Sequence, residues 1–291
     1  MKRVAVVTDS ASTIPAEMVK QYGIEVVPLL IHLDGKTYID TRDIKTASEL
    51  FEHIDGSKNF PTTSAPTPGE YTEVYRRLGD SFENILTITI SSEVSMCFNS
   101  ARKAREVVLK ERPNINIEVF DSRITVGAMG LIVIAPEAAA RAADSGKDME
   151  AVIQAARDIQ SRINMLFIMD TLYYLARSGR ISRAKAIAGN MLSMKPITEF
   201  TTSLGRPTVA AKPRTRKKAL STLLEMVKSR SDSSKPLNVM IEHTCVADEA
   251  EQLKQTVLKE FNCAEVLLCE YTPVASVIVG PGVLGLDFYQ E

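Results

Sequence analysis

The feature that most constrains the fold of this chain is a repeated step: a short apolar run ends at a hydroxyl or acidic turn, and a helix follows. Residues 4–7 form a β-branched run that ends at Thr8-Asp9-Ser10, and Pro15 opens a helix that continues to about Gln21. Residues 85–90 repeat the step and lead into a helix over residues 95–110. Alternating strands and helices predict an α/β fold that binds ligands at the carboxyl ends of its strands.

Other segments extend this pattern through the first half of the chain. Residues 23–31 are expected to form one strand, and another short strand ends at residues 119–120. Residues 127–143 are nearly all apolar and predict a buried helix, whereas residues 149–163 predict an amphipathic one.

Length and a change in composition predict a second domain. The chain has 291 residues, about twice the usual size of a single domain. After Ile163 a short apolar segment leads into a basic turn at residues 175–180. We therefore predict two α/β domains, residues 1–160 and 161–291. The second is expected to contain helix 184–193, a hairpin turning at 202–206, helix 215–229, strand 237–242, helix 247–261 and strand 264–269.

The charge balance excludes some partners. The 35 Lys and Arg residues and 36 Asp and Glu residues give a formal net charge of -1, so the whole molecule does not attract nucleic acid or an anionic membrane. With 45% hydrophobic residues, 24% charged residues and no Trp, the composition is that of a globular protein with an aliphatic interior. Affinity for an anion must therefore come from a local patch.

The sequence shows no pattern of export or membrane insertion. The first apolar run reaches Asp9 after too few residues for the core of a signal peptide. The longest apolar run, residues 274–286, is interrupted by Gly280-Pro281-Gly282 and falls short of the roughly 18 residues of a membrane helix. We expect a cytoplasmic protein without stable membrane insertion, and transient contact with a membrane surface stays open.

Metal and cofactor motifs are missing from the sequence. Cys97, Cys245, Cys263 and Cys269 show neither paired spacing nor a neighbouring His at zinc spacing, so we expect reduced core thiols and no metal site. No GxxxxGK[ST], GxSxG or HExxH occurs. Residues 280–285 match GxGxxG, but too few residues follow for the helix of a dinucleotide site. The glycines indicate either a structural turn or a close approach of backbone to a ligand.

Hydroxyl-rich turns recur where strands are predicted to end. They are Thr8-Asp9-Ser10, residues 61–69, residues 91–95 and Asp121-Ser122. Any one of them can be explained by helix capping or turn formation. Their shared position favours a neutral anion site, because hydroxyls and amide groups at a helix N-terminus suit a carboxylate or a phosphate.

Two basic stretches occur in the second half of the chain. One comprises Arg206, Lys212, Arg214, Arg216, Lys217 and Lys218, and the other Arg177, Arg180, Arg183 and Lys185. The ordinary interpretation is a solvated face. No aromatic residue lies between Phe200 and Phe261, which removes the stacking platform for nucleic acid, so a partner protein or a phosphate group fits better.

The methionine and histidine residues give weaker indications of a binding site. The 11 methionines include Met96, Met129, Met165 and Met169, and flexible apolar side chains suit a channel for variable chains, although Met is most often plain core. His32, His53 and His243 are isolated in the sequence and are expected to be ordinary surface or core residues.

The motifs in their order resemble the DegV family of bacterial fatty-acid-binding proteins over essentially the whole chain. They are Val-Thr-Asp-Ser at 7–10, Thr-Ser-x-Pro-Thr at 63–67, Ile-Ser-Ser-x-Val-Ser at 90–95, Phe-Asp-Ser at 120–122, Asp-Thr-Leu-x-Tyr-Leu at 170–175, Gly-Arg-Ile-Ser at 179–182, Lys-Pro-Ile at 195–197, the basic run 214–218 and Gly-Pro-Gly at 280–282. The ordered set is specific, whereas its members separately are not.

The resemblance implies two α/β domains with a lipid site between them. One long-chain fatty acid would lie in an apolar tunnel, and hydroxyls would hold its carboxylate. The resemblance also implies the acyl-carrying subunit of a two-component fatty acid kinase, whose separate ATP-binding subunit phosphorylates the carboxylate. The carrier itself would then perform no catalysis and use no cofactor.

The resemblance assigns roles to particular residues. Thr63 and Ser95 match the head-group hydroxyls, and Ser92, Gly280 and Gly282 are expected beside the carboxylate. The expected tunnel lining is Met96, Met129, Met165, Met169 and Ile278, and the candidates for phosphate or partner contact are Arg180, Arg214 and Arg216.

This chain departs from the family pattern at two places. Met96-Cys97 follow Ser95 where the family commonly has Gly-Thr, and Ile278 stands where the family often has a His before the Gly-Pro-Gly. A bulkier turn would reshape the head-group pocket, and without the imidazole the ligand or the kinase partnership could differ. His243 is the one histidine that could take the vacant role.

Two other function classes stay open. The chain could be an enzyme that acts alone on a small phosphorylated or carboxylate metabolite, with Asp9 or Asp121 as base. It could also be an interaction module that binds a partner through its basic face, independently of lipid.

Overall fold

The structure, a computed structural model, describes residues 4–142, 149–181 and 194–291. Its strands are β1 Val4–Asp9, β2 Glu25–Val27, β3 Leu30–Leu33, β4 Lys36–Ile39, β5 Thr62–Ser64, β6 Asn84–Thr89, β7 Asn116–Asp121, β8 Asn164–Ile168, β9 Ile197–Thr201, β10 Arg206–Ala211, β11 Leu237–His243, β12 Cys263–Glu270 and β13 Leu284–Gln290. Its helices are α1 Ala16–Tyr22, α2 Ala47–Asp55, α3 Pro68–Leu78, α4 Cys97–Glu111, α5 Val126–Ala142, α6 Met149–Arg162, α7 Tyr173–Ser178, α8 Arg216–Arg230, α9 Ala247–Glu260 and α10 Pro273–Val279. A short 3₁₀ helix covers Ser10–Ser12.

The first sheet is parallel and confirms the α/β class. Its strands lie in the order β2-β1-β6-β7, and every neighbouring pair is parallel. Asp9, Thr89 and Asp121 end β1, β6 and β7, so the hydroxyl-rich and acidic turns that follow these strands meet at one edge.

The prediction of a single strand over residues 23–31 is wrong. The structure has β2 in the parallel sheet and β3 in a separate antiparallel sheet, ordered β4-β3-β5. Pro28 lies between them and has no N–H group to continue the ladder of hydrogen bonds. The next amide, of Leu29, donates instead to Ser10 Oγ at 3.0 Å, so the chain leaves the first sheet at this point.

The second sheet is mixed and has the order β10-β9-β8-β13-β11-β12. The predicted hairpin is confirmed as the antiparallel pair β9 and β10, and the predicted strands over 237–242 and 264–269 are β11 and β12. Strand β13, which the sequence analysis missed, lies between β8 and β11. The residues after the glycine turn therefore form a central strand and not the helix of a dinucleotide site.

The sequence analysis missed several other helices. Helices α2, α3 and α10 were not predicted, and α7 lies where a turn was predicted over residues 175–180, whereas α8 and α9 agree with the predicted helices over 215–229 and 247–261. The predicted helix over 184–193 falls outside the described residues. Among the thiols, Cys245 is exposed, so the expectation that all four cysteines are core residues is wrong.

Helix α5 connects the two sheets. It packs on β1 of the first sheet and on β11 and β13 of the second. One continuous core joins apolar residues of both sheets through this helix, including Leu86, Ile132, Met165 and Phe167. The strands of the first sheet lie within residues 4–121 and those of the second within 164–290, and the boundary at residues 160–161 stays a prediction. None of the helices in the described ranges is long and apolar enough to cross a membrane.

A buried hydrogen bond fixes the start of α5 against the second sheet. The Gly127 amide donates to Glu242 Oε1 at 2.7 Å, and both residues are buried. A Cβ atom at Gly127 would lie 2.6 Å from Glu242 Cδ and 2.6 Å from Met240 Cγ. Residue 127 must therefore be glycine for the sheets to approach each other this closely.

We predict that Gly127→Ala lowers the free energy of unfolding by about 1–3 kcal/mol, the usual cost of overpacking. Urea denaturation followed by circular dichroism measures the effect. Gly69→Ala is the control, because a Cβ there would lie 3.6 Å from its nearest neighbour, Thr67 Oγ1. Equal stability of Gly127→Ala and the wild type would contradict the close approach.

Candidate functional site

A cavity of about 700 Å³ lies between the first and second sheets. Ala11, Ile90 and Thr125 line it from the turns that follow β1, β6 and β7, so it opens at the carboxyl edge of the parallel sheet. This is the place predicted for ligand binding in such a fold. The volume falls within the roughly 300–1,000 Å³ that is typical of small-molecule sites.

Most of the cavity wall is apolar and comes from both halves of the chain. The apolar lining side chains are Ala11, Leu29, Ala65, Pro66, Pro68, Ile90, Val94, Met96, Val126, Met165, Phe167, Leu175, Phe200, Pro207, Val274, Ala275, Ile278 and Val279. Strands β8 and β9 supply the Met165, Phe167 and Phe200 side chains, and α10 supplies a wall with Ile278. A wall of this kind favours the burial of a hydrocarbon chain.

Hydroxyl groups cluster where α4 begins. Ser95, Met96 and Ser100 line the cavity around the first turn of this helix. The Phe98 and Asn99 amides have no hydrogen-bond partner among the described residues, so they add donors at a helix end that favours negative charge. This wall therefore suits a carboxylate.

Loop residues add further hydroxyls to the cavity. Thr63, Ser100 and Thr125 line it, and within the described part of the chain their hydroxyls make no hydrogen bond. Ser64 also lines it, but its hydroxyl lies 2.8 Å from His32 Nε2. The sequence analysis missed Ser100 and Thr125. Ser100 lies one turn after Met96, four residues along the chain, and that spacing was the signal available for it.

Ser92 is engaged inside the protein. Its hydroxyl donates to Asp121 Oδ2 at 2.5 Å, and its amide donates to Asp121 Oδ1 at 3.1 Å. Ser92 lines the cavity, but its hydroxyl hydrogen is committed to this carboxylate. The contact instead joins the turn after β6 to the end of β7.

Two buried acids lie behind the cavity wall. Asp9 accepts hydrogen bonds from the Ala11 amide at 3.2 Å and the Ile90 amide at 2.9 Å. Asp40 accepts one from the Val274 amide at 2.9 Å, which fixes the start of α10. Burial raises the pKa of each carboxyl group to about 7.

A second acid pair lies beneath the start of α5. Glu242 and Asp287 are completely buried on the neighbouring strands β11 and β13. Burial raises the pKa of both groups, and the proximity of Asp287 adds to the effect at Glu242. At neutral pH the pair therefore holds a proton in preference to two negative charges.

Arg180 supplies a cation to the cavity. It is half-buried, and its Nη1 donates to the Ser178 carbonyl oxygen at 2.6 Å. Burial lowers the pKa of its guanidinium, and no acidic partner for it occurs among the described residues. A smaller cavity of about 270 Å³ also includes Arg180, together with Glu93 and Arg206, which form an ion pair.

Several predicted site residues lie elsewhere. Met129 and Met169 are fully buried in the core shared by the two sheets and do not line the cavity, contrary to the expectation for them. Met96, Met165 and Ile278 do line it, although the Met96 side chain is 59% exposed.

The glycine turn packs against protein and not against the cavity. Gly280 and Gly282 have φ angles of +82° and +78°, which favour glycine. A Cβ at Gly280 would collide with the Tyr174 ring, and one at Gly282 would lie 2.6 Å from Asp170 Oδ2. Neither glycine is among the residues that line the cavity.

The basic residues after β10 differ in their environments. Arg214 is exposed, whereas Arg216 is mostly buried and contacts Glu249 at 2.8 Å and Asp170 at 3.5 Å. Arg216 also donates to the Gly282 carbonyl oxygen at 2.9 Å, which stabilises the glycine turn. Of these two arginines, only Arg214 is placed to meet a partner.

His243 does not replace the histidine that Ile278 displaces. It ends β11, is buried outside the cavity lining, and burial lowers the pKa of its imidazole. Across the described ranges, no group of three or more His, Cys, Asp or Glu side chains is arranged to hold a metal ion.

Comparisons with known proteins agree with the fold. Residues 3–291 match the family described as "Uncharacterised protein, DegV family". A DegV domain-containing protein of Caldanaerobacter subterraneus subsp. tengcongensis is 33% identical over 291 residues, covering 100% of both chains. The structure titled as fatty acid binding of a DegV family protein from Thermus thermophilus superposes with a TM-score of 0.90 at 29% identity, covering 99% of this chain and 100% of that one. DegV from Bacillus subtilis, titled a fatty acid binding protein, gives a TM-score of 0.89 at 28% identity with 100% of both chains covered.

The raised pKa of Asp40 predicts a pH-dependent stability. The folded form holds the Asp40 proton up to about pH 7, whereas an unfolded Asp releases it near pH 3.9. Between these values the folded state binds more protons, so a rise in pH lowers the free energy of unfolding by up to about 1.4 kcal/mol per pH unit. Above about pH 7 the folded and unfolded states have both released this proton, so the contribution no longer changes with pH.

Asp40→Asn should remove this contribution and keep the oxygen that accepts from the Val274 amide. The stability of the variant relative to wild type should therefore rise as pH increases from about 4 to 7, as measured by urea denaturation. Asp43→Asn is the control, because the Arg42 side chain lowers the pKa of that exposed carboxyl group. A stability difference that does not change with pH would contradict the raised pKa of Asp40.

Proposed function

This chain belongs to the DegV family, and we propose that it is a carrier that binds one long-chain fatty acid in the cavity between its two sheets. The observation that carries the proposal is the cavity itself, which combines a long apolar wall with a hydroxyl cluster at the N-terminus of α4. The two solved relatives titled as fatty-acid-binding proteins support it, since they share the fold over nearly the whole chain.

Ser95 and Thr63 are the proposed donors to the carboxylate. Both line the cavity, and Ser95 lies immediately before the N-terminal turn of α4. Hydrogen bonds to an ionised group are worth about 1.5–3 kcal/mol each, and the helix end adds a favourable field. Ser92 is a poorer donor because its hydroxyl is bound to Asp121, and Gly280 and Gly282 lie behind the wall.

The apolar wall is the proposed binding surface for the acyl chain. Met165, Phe167, Phe200 and Ile278 come from different elements and surround one continuous space. Burial of hydrocarbon contributes about 0.8 kcal/mol per methylene group, so the chain supplies most of the affinity and the hydroxyls supply orientation.

We further propose that the bound carboxylate is presented to a separate kinase subunit in the cytoplasm, which forms the acyl phosphate. Arg180 lies in both the main cavity and the smaller one beside it, so it could contact a phosphoryl group there. Arg214 is the exposed basic residue proposed for the partner surface, whereas the contacts of Arg216 are internal.

The alternative of a stand-alone enzyme has less support. Asp9, one of its two candidate bases, is completely buried, and both its oxygens accept backbone amides. Asp121, the other, accepts from the amide and the hydroxyl of Ser92. Neither carboxylate is placed to take a proton from a substrate in the cavity.

We predict that the purified protein carries fatty acid, because an apolar cavity of this size retains a hydrocarbon chain. Native mass spectrometry, followed by lipid extraction, should find one fatty acid per protein. Adding Mg²⁺ and ATP to the loaded protein should leave the acid unphosphorylated, since the transfer belongs to the proposed partner. A protein that stays empty when offered oleate and turns over a small metabolite alone would contradict the proposal.

We predict that Ser95→Ala and Thr63→Ala each weaken oleate binding by roughly 10- to 150-fold, because each removes a hydrogen bond to a charged group. Calorimetric titration measures the affinity. Ser92→Ala is the matched control from the same cavity wall, and its affinity should stay within about threefold of wild type because its hydroxyl is bound to Asp121. Wild-type affinity in both the Ser95 and Thr63 variants would refute the head-group assignment.

A further inference from the structure

A buried thiol lies directly behind Ser95. Cys97 is the first residue of α4 and is completely buried. The Ser95 hydroxyl donates to Cys97 Sγ at 3.1 Å, and the Cys97 amide donates back to Ser95 Oγ at 3.3 Å. Cys97 therefore determines both the position of the Ser95 oxygen and the direction of its hydrogen.

Burial keeps this thiol uncharged. It raises the pKa of Cys97 well above its usual value, so the sulfur keeps its hydrogen at neutral pH and accepts the Ser95 hydroxyl as a neutral group. The Asp9 carboxyl group accepts the Ala11 and Ile90 amides, and both of these residues line the cavity, so the bonds fix the cavity wall.

Sulfur is a weak hydrogen-bond acceptor. A carboxylate oxygen is a much stronger one, because hydrogen bonds to ionised groups are about twice as strong as those between neutral groups. When a carboxylate reaches this wall, the Ser95 hydrogen can turn from Sγ to the ligand at small cost. The Cys97 amide remains bonded to Ser95 Oγ throughout, so the oxygen keeps its place.

We propose that Cys97 is a positioning residue for head-group capture: its sulfur holds the Ser95 hydroxyl hydrogen in a defined direction and yields it readily to a carboxylate. The inference rests on the proposed function, because it takes Ser95 as a donor to the fatty acid. Cys97 acts through Ser95 and does not line the cavity.

A substitution at residue 97 should therefore change the affinity for oleate by changing the hydrogen bond that the Ser95 hydroxyl makes. In Cys97→Ser an oxygen acceptor binds the Ser95 hydrogen more tightly than sulfur does, and the ligand must break that stronger bond. We expect the oleate dissociation constant to rise roughly three- to tenfold, the range of an ordinary neutral hydrogen bond.

A double-mutant cycle tests the inference. Oleate affinity is measured by calorimetry for the wild type, Cys97→Ser, Ser95→Ala and the double variant. The expected result is that the effect of Cys97→Ser disappears in the Ser95→Ala background, because residue 97 has no hydroxyl left to hold. A merely structural role would lower affinity equally in both backgrounds, and that result would overturn the inference.

The experiment needs two controls, a variant of a second cysteine and a check that every variant is folded. Cys269 is a thiol outside the cavity lining that donates to the Thr13 carbonyl oxygen, so Cys269→Ser should leave oleate affinity unchanged. Each variant must show a cooperative thermal transition, which separates loss of affinity from loss of fold.

If Cys97→Ser binds oleate as tightly as wild type, the inference fails and the proposed function stands. If the wild type binds no oleate, both fail.

Discussion

The arrangement of this molecule depends on buried carboxyl groups that accept backbone N–H groups between distant segments. Glu242, on the second sheet, accepts the Gly127 amide at the start of α5, and Asp40 accepts the Val274 amide at the start of α10. Each bond joins residues more than a hundred positions apart in the chain. A hydrogen bond between neutral groups is worth about 0.5–1.5 kcal/mol, and leaving one buried partner unsatisfied costs about 1–3 kcal/mol. Val274, and Val126 next to Gly127, line the cavity, so these bonds fix two parts of its wall.

The sequence predicted the parallel half well because its constraints are local. A β-branched run followed by Thr8-Asp9-Ser10 is typical of a strand that turns into a helix, and parallel strands bring such ends to one edge. The position of Ser95 in the cavity follows from that rule. Its neighbour Ser92 obeys the same rule, but its hydroxyl is bound by Asp121, which lies on another strand. Local pattern therefore locates the hydroxyls without saying which of them are available to a ligand.

The features that could not be predicted depend on contacts between distant residues. Strand β13 was missed because Gly285 and Asp287 interrupt its apolar pattern, and Asp287 is tolerated there only because burial beside Glu242 keeps a proton on the pair. Arg216 looked like part of an exposed basic run, yet Asp170 and Glu249 neutralise it from other elements. Methionines at the cavity and in the core have the same chemistry, so residue type could not separate Met165 from Met129.

The chemistry of the head-group wall follows from the need to bring a negative charge out of water. An ionised Asp9 behind Ser95 would repel a carboxylate, but burial already raises the Asp9 pKa to about 7, and a second negative charge nearby would raise it further. With its proton retained, Asp9 does not oppose a carboxylate ligand. In the proposed function, Ser95, Thr63 and the first amides of α4 would act as neutral donors to the ligand, and Arg180 adds positive charge to the same cavity. Because Ile278 offers no charge, selection of a carboxylate over an uncharged head group would rest on these neutral donors together with Arg180. The direction of the Ser95 hydrogen is accordingly the variable through which a neighbouring residue such as Cys97 can alter affinity without touching the ligand.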